Sequence, residues 1–382
     1  MGVWDHLTGQ AEAIRSLRAA ASTAPGNLAM SHSWLITGPP GSGRSNLAYA
    51  FAAALLSRGP DDEDATVRQV QARTHPDLAV LSTEMVIIKM DEVRALVKSS
   101  QFSPSVGRYR VVVIEDADRM TERTSNVLLK ALEEPPPRTV WILCAPSEAD
   151  LIPTIRSRVR SVRLRVPSVH DVAELLRERD GVDQATAETA AREAQSHIGM
   201  AHRLATDPDA RSRRRQTLET ALAIRSVSDA VVAAGTLLAV AGEDAKAITL
   251  ERDAEERESA LRSLGIAPGG TVPPALRGQL RALEDDQKRR ATRSLRDGID
   301  RILVDLLSLY RDILLLQLGV VEEPINQSIR PGLDSAARSA TPATTLRVLD
   351  AITTARTRID GNVAPALALE AMLVAVSRHL VR

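Results

Sequence analysis

Gly38-Pro39-Pro40-Gly41-Ser42-Gly43-Arg44-Ser45 is the stretch on which the fold turns. An apolar run, Trp34-Leu35-Ile36, leads into it, and a helix-forming segment, Asn46 to Leu56, leads out. Strand, glycine-rich loop, helix is the order in which a phosphate-binding P-loop is built. The spacing is that of G-x-x-x-x-G-K-S/T, with arginine where the lysine belongs. The glycines let the backbone turn tightly enough to aim its N–H groups at phosphate oxygens. The N-terminus of the following helix adds partial positive charge, and the Ser45 hydroxyl stands where a magnesium ligand is expected.

Around this loop, composition sets limits. The chain of 382 residues is long enough for two or three domains. Hydrophobic residues make up 44% and charged residues 26%, as in ordinary globular proteins. The 49 basic and 49 acidic residues cancel, so strong nonspecific DNA affinity cannot come from overall charge. Aromatics at 2% argue against base-stacking platforms. The single cysteine, Cys144, rules out an internal disulfide and suits a reducing cytoplasm. The first residues, MGVWDHLTGQ, show no signal-peptide pattern, and no apolar run approaches membrane-spanning length, so no membrane association is expected.

Read in order, residues 5–24 carry helical spacing in Leu7, Ile14, Leu17 and Ala21, and 25–33 read as a loop. Residues 57–76, with an acidic cluster at 60–64, read as a loop into a short helix. Strands are expected at Leu78–Leu81 and Val86–Ile88, and a helix at Met90–Ser100. Tyr109 to Ile114 is a β-branched, nearly all-apolar run, expected to be a central parallel strand buried on both faces. It ends in Glu115-Asp116-Ala117-Asp118. A helix, SNVLLKALEE, follows and is stopped by Pro135-Pro136-Pro137. Val140 to Cys144 reads as a further buried strand, and Arg156 to Val166, with five arginines, as an edge strand with one wet face. Ser168 to Asp171 is a capping-box pattern. Beyond it no convincing strand remains: 168–207 reads as three helices, and 211–264, 274–319 and 334–382 as longer ones with linkers at 265–273 and 320–333. Within 298–319, Ile299, Ile302, Leu303, Leu306, Leu307, Tyr310, Ile313, Leu314 and Leu318 hold one face. The stretch 242–260 reads as a charged, solvated helix.

Several stretches together resemble the AAA+ clamp-loader family, and within it the bacterial delta-prime branch. They are Trp4-Asp5-His6-Leu7-Thr8-Gly9-Gln10, His32-Ser33-Trp34 leading into the P-loop, Thr74-His75-Pro76-Asp77, and Val111 to Asp118. The most specific is Asn126-Val127-Leu128-Leu129-Lys130-Ala131-Leu132-Glu133-Glu134-Pro135-Pro136, with Ile155-Arg156-Ser157-Arg158 about twenty residues later; Arg311-Asp312-Ile313-Leu314 and Asn362 to Glu370 complete the set. The resemblance implies an α/β plus all-α chain: a RecA-like AAA+ P-loop domain at 1–166, a three-helix lid at 167–208 and a C-terminal helical collar for oligomerisation at 209–382. It further implies partners: ATPase and delta subunits of a clamp loader in a pentameric ring, and through that complex the sliding clamp and primer–template DNA.

An active member of this family needs a P-loop, an acidic pair after the central strand, a polar sensor on the next strand, a lid arginine, and an arginine donated by a neighbour. The nucleotide-binding candidates here are Gly38, Gly41, Gly43, Arg44, Ser45, Glu115 and Asp116. Arg44 is a planar fork where an ammonium belongs. The acidic pair is inverted, Glu115-Asp116 for Asp-Glu, and placement errors near 1 Å can cost about 10²-fold. The sensor strand ends in Cys144-Ala145-Pro146-Ser147 without a hydroxyl or amide at the sensor place. The lid motif reads Gly199-Met200-Ala201-His202, with Arg203 one residue late. No ATP hydrolysis is expected at the chain's own site. Two readings of the loop stay open: a scaffold kept for fold stability, or a weak ATP or ADP site with magnesium.

Arg158 matches the family's trans-acting arginine finger, the one catalytic candidate; read without the family, it is one of five arginines on a solvated strand edge. Many relatives carry a four-cysteine zinc module after the P-loop helix. Residues 57–73 contain neither cysteine nor histidine, so no zinc and no other structural metal is expected. Candidates for phosphate-directed DNA contact are Arg94, Lys98, Arg108, Arg110 and Arg211 to Arg215, each more readily read as part of a solvated face. The competing readings are an active clamp-loader ATPase, against which the degraded site argues, and a P-loop regulator unrelated to replication, against which the NVLLKALEEPP stretch argues.

Overall fold

The structure, a computed structural model, describes residues 3, 4, 7, 9–22, 29–83, 87–263, 277–361 and 363–380. The readings that touch residues 5, 6, 8, 23–28, 86, 265–273 and 362 lie outside those residues. The chain divides into two compact units, Met1–Thr206 and Asp207–Arg382.

The first unit runs α1 (Ala11–Ala21), β1 (Ser33–Thr37), α2 (Arg44–Leu56), α3 (Pro60–Gln71), β2 (Leu78–Leu81), α4 (Met90–Ser100), β3 (Arg110–Ile114), α5 (Glu122–Glu133), β4 (Thr139–Ala145), α6 (Pro153–Arg156), β5 (Arg160–Arg163), and then α7 (Val169–Asp180), α8 (Gln184–Glu193) and α9 (Ile198–Thr206). The strands form one sheet in the order β2-β3-β4-β1-β5, every pairing parallel. Parallel neighbours require crossover connections, which lay helices on both faces and bury the strands on both sides. The side chains sort by parity. Trp34, Ile36, Val111, Val113, Val140, Ile142 and Cys144 pack with Leu47, Phe51 and Leu55 of α2. Leu35, Val112, Ile114, Trp141 and Leu143 face Val93 of α4 and Leu128 and Leu132 of α5. Trp34 meets Phe51 edge-on, ring centroids 5.3 Å apart at 77°. This is the RecA-like α/β arrangement, with the P-loop between β1 and α2.

Several expectations are corrected. The middle strand is β4, with β3 beside it. Both are apolar after their first residue, Arg110 and Thr139, and only pairing distinguishes their places. Ile87 and Ile88 belong to no strand; the Ile88 amide bonds Arg119 O at 3.0 Å while its side chain joins the core. The first helix is shorter than 5–24: it starts after Gln10, and Leu7 sits in a turn whose amide donates to Trp4 O. The short helix expected within 57–76 begins as early as Pro60 and runs to Gln71, so the acidic cluster belongs to it rather than to a loop. Pro60 stands at the first turn, where its fixed φ and missing N–H cost nothing. The Asp62 carboxylate accepts from the amides of Arg58 and Gly59 and from the Ser57 hydroxyl. The acidic cluster is therefore a helix start, where the dipole favours negative charge. The Ser168 capping box forms as read: its hydroxyl accepts from Asp171 N, and Asp171 accepts from Ser168 N.

The second unit holds α10 (Pro208–Leu222), α11 (Val227–Ser263), α12 (Arg277–Gln317), α13 (Arg330–Ser339), α14 (Pro342–Asp360) and α15 (Pro365–Leu380), with no strand among the described residues. Its core joins Leu237, Ile299, Leu303, Leu306, Val348, Ile352, Leu369 and Leu373. Of the expected apolar face, Ile299 through Ile313 is mainly buried, whereas Leu318 lies beyond α12 and is exposed. The segment read as a linker, 320–333, contains a short turn at Gln327–Ile329 and the start of α13. The charged part of α11 is ion-paired to α12, Arg257 with Glu284 at 2.9 Å and Asp253 with Arg290 at 3.2 Å. No helix among the described residues is long and apolar enough to cross a membrane.

Candidate functional site

The P-loop begins at Gly38, whose amide bonds Pro146 O across the sheet's end. Gly41 and Gly43 take φ of 77° and 88°, the left-handed region that favours glycine. A Cβ added at Gly41 would lie 2.2 Å from the His197 ring. Arg44 turns its guanidinium onto the loop itself: Nη1 donates to Gly38 O at 2.6 Å. The loop's cation is thus engaged with loop backbone.

The carboxylate expected on the metal side, Glu115, is held from three directions. Ser45 Oγ donates to Oε2 at 3.3 Å, the Tyr49 hydroxyl donates to Oε1, and Arg73 Nη2 meets the same oxygen at 2.8 Å. Burial and the hydrogen bond to Glu115 push the Tyr49 pKa up, so it stays a donor. Arg73 also lies over the Tyr49 ring at 5.5 Å. Asp116 has Arg119 Nε at 4.0 Å, and burial, with Asp116 nearby, pushes the Asp118 carboxyl up. At the sensor place, Cys144 is fully buried, and burial pushes its thiol up to about 12. Ser147 caps the turn that follows, accepting from Ala149 N at 3.2 Å, and does not replace the sensor.

In the lid motif, His202 Nδ1 pairs with Asp180 Oδ2 at 2.8 Å. The group that reaches the loop is His197, whose ring covers Gly41, together with the Ile198 amide, which bonds Gly41 O at 3.2 Å. A cavity of about 370 Å³ opens beside Ser42 and Gly43, walled by Tyr49, Val70, Leu175 and Ile198. That is a size typical of small-molecule sites, and Val70, Leu175 and Ile198 give it an apolar wall beside the loop. The metal side fits magnesium poorly. Magnesium needs oxygen ligands at 2.0–2.1 Å, and the carboxylate that would serve it is already charge-paired to a guanidinium.

Arg158 follows α6 and is one-third exposed. Its Nε donates to Glu133 Oε1 at 2.6 Å, and Nη1 donates to Thr154 O at 2.7 Å. Glu133 ends α5, so the two halves of the NVLLKALEEPP…SR pattern meet in space. Among the DNA candidates, Arg108 caps helix ends, donating to Ser57 O and Ala54 O. Arg110 lies 3.7 Å from buried Asp77. Arg213 pairs with Asp244, and buried Arg214 with Asp305 and Asn326. Arg94 and Lys98 remain exposed on α4, with Arg94 bonded to Asp91. Among the described residues no cluster of three or more histidines, cysteines and carboxylates is placed to hold a metal.

The family described as DNA polymerase III, delta subunit, matches residues 9–168. The chain is 38% identical over 134 residues to DNA polymerase III subunit delta' of Pseudomonas aeruginosa, covering 33% of this chain and 41% of that one. It is 34% identical over 143 residues to the Escherichia coli subunit delta', covering 36% and 43%. It is 30% identical over 156 residues to the subunit gamma/tau of Mycobacterium tuberculosis, covering 38% and 27%. The chain thus spans less than half the length of these relatives, and the family match lies within the first unit.

Reading the sequence missed Tyr49, Arg73, His197 and Glu133. Tyr49 stands four residues after Ser45, on the same face of α2, a signal that was available. Arg73 and His197 come from loops, whose reach no periodicity announces.

Proposed function

We propose that this chain is a structural, arginine-donating delta-prime subunit of a DNA polymerase III clamp loader. It does not turn over ATP at its own loop; it supports loading of the sliding clamp onto primed DNA by placing Arg158 beside a nucleotide held by a neighbour. The partners are the loader's ATPase and delta subunits in a pentameric ring, and the setting is the cytoplasm. Residues 1–166 act as the RecA-like domain, 167–208 as lid and 209–382 as collar. The observation that carries this reading is the contrast between two arginines. Arg44 is spent on the Gly38 carbonyl in a loop whose carboxylate is already paired, whereas Arg158 is held at an exposed rim by one carboxylate. An ion pair this exposed is worth about 0–1 kcal/mol, so a neighbour's phosphate can displace Glu133 at little cost.

The mechanism is electrostatic. A guanidinium beside a γ-phosphate neutralises charge that develops in the transition state, worth 10³–10⁵ in rate in other NTPases. Reconstituting the loader with Arg158→Ala is expected to lower clamp- and DNA-stimulated ATPase by at least about tenfold, with assembly intact. Rates near those of the unchanged loader would refute the assignment.

A further inference from the structure

The Arg73–Glu115 pair, which occupies the loop's carboxylate, has been given no function of its own. Arg73 follows the last turn of α3 with φ of 57°, its amide bonding Val70 O at 3.0 Å. A helix that ends in the left-handed region usually does so on glycine, so the backbone gains nothing from an arginine there. Its side chain crosses to the sheet and meets Glu115 Oε1 at 2.8 Å, the oxygen that Tyr49 also bonds. The other oxygen, Oε2, faces Ser45 at 3.3 Å. Ser45 of the loop and Glu115 of the acidic pair are the two side chains that a site of this pattern offers to a divalent ion. The Glu115 side chain is only 14% exposed, which limits water's screening of the guanidinium on its own carboxylate. The cavity beside the loop, which Arg73 and Tyr49 help line, leaves its apolar wall open.

We propose that Arg73 takes the seat of the divalent metal by charge, so that this P-loop rejects a metal–nucleotide complex. The guanidinium neutralises the carboxylate a metal would use and repels a second cation at the same place. Arg44 is a separate impediment, acting on the phosphates rather than on the metal. The inference rests on the reading of the loop as a degraded nucleotide site and names the residue that closes its metal half.

The test uses the full chain, with the loop lysine restored so that Arg44 does not mask the result. Arg44→Lys, Arg44→Lys/Arg73→Gln and Arg44→Lys/Arg73→Lys are titrated with ADP and Mn²⁺, read by the spin resonance of bound Mn²⁺ and by calorimetry, with and without chelator. Circular dichroism and thermal melts confirm that each variant is folded. The expected result is at least about tenfold tighter Mn²⁺–ADP binding by Arg44→Lys/Arg73→Gln than by Arg44→Lys, lost with chelator, while Arg73→Lys stays at the Arg44→Lys level. Metal-dependent binding by Arg44→Lys alone overturns the proposal. So does no gain in the Gln variant, or a gain that survives chelation, which would make Arg73 a steric plug. None of these outcomes bears on Arg158, which is read through a neighbour's ATPase.

Discussion

Asp77 shows what one buried side chain does for the sheet unit. It is fully buried and accepts from the amides of Ser105, Val106 and Gly107, each at 2.7 Å, and from the Ser105 hydroxyl at 2.9 Å. It thereby fixes the turn that feeds β3. Burial pushes its carboxyl up, but these donors outweigh burial and hold it below the usual range. Its neighbour His75 accepts from Asp77 N at 3.1 Å, and burial pushes its imidazole pKa down against the pull of Asp77. Both shifts make the unfolded chain the better proton binder, so both cost stability as pH falls. The His75 contribution is full above about pH 6.5 and declines below it; the Asp77 contribution is full above about pH 3.9 and is lost further down. Asp77→Asn turns amide hydrogens toward amide donors, and an orphaned buried donor costs about 1–3 kcal/mol. Urea denaturation at pH 7 is expected to show a loss of that order. His75→Asn is expected to narrow the stability gap between pH 7 and pH 5.5; an unchanged gap would show that His75 does not titrate with folding.

At the scale of elements, α9 is tied to the P-loop through a glycine. Gly41 has φ of 77°, and the His197 ring fills the space a Cβ would need. Gly41→Ala is expected to destabilise the chain by at least about 1 kcal/mol from backbone strain alone, plus the displacement of His197. Hydrogen exchange checks this: protection at Ile198, whose amide bonds Gly41 O, should fall first. Elements also show what was legible in the sequence. Strands β1, β2 and β4, helix α4 and the Ser168 cap were readable because apolar parity and capping residues are local signals. The start of α3 was not, because it rests on Pro60 and Asp62 rather than on an apolar stripe. The order of the strands was not either, since β3 and β4 are equally apolar and only long-range pairing separates them. For the site, the P-loop, the acidic pair and the SR motif were visible as spacing. The capture of Glu115 by Arg73 and of Arg158 by Glu133 was not, because both join residues that are distant in sequence.

Across the whole molecule, each of the two units has a fully buried carboxylate that ties loop backbone to its core, Asp77 in the first and Asp312 in the second. In the second unit Asp312 is fully buried and accepts from Ile325 N at 3.1 Å, Asn326 N at 2.8 Å and Asn326 Nδ2 at 2.9 Å. Asn326 in turn accepts from Arg214, which also bonds Asp305, so one network pins α10, α12 and the segment before α13. Asp312→Asn sets an amide against these donors and carries the same kind of penalty as Asp77→Asn, about 1–3 kcal/mol. Cooperative units lose protection as units. Native-state hydrogen exchange is therefore expected to rise within residues 207–382 for Asp312→Asn and within 1–206 for Asp77→Asn. Equal loss across the whole chain in either variant would mean that the two units unfold as one. In that case a defect in the helical unit would also reach the P-loop and Arg158, and any ATPase change would have to be corrected for stability before being assigned to the arginine.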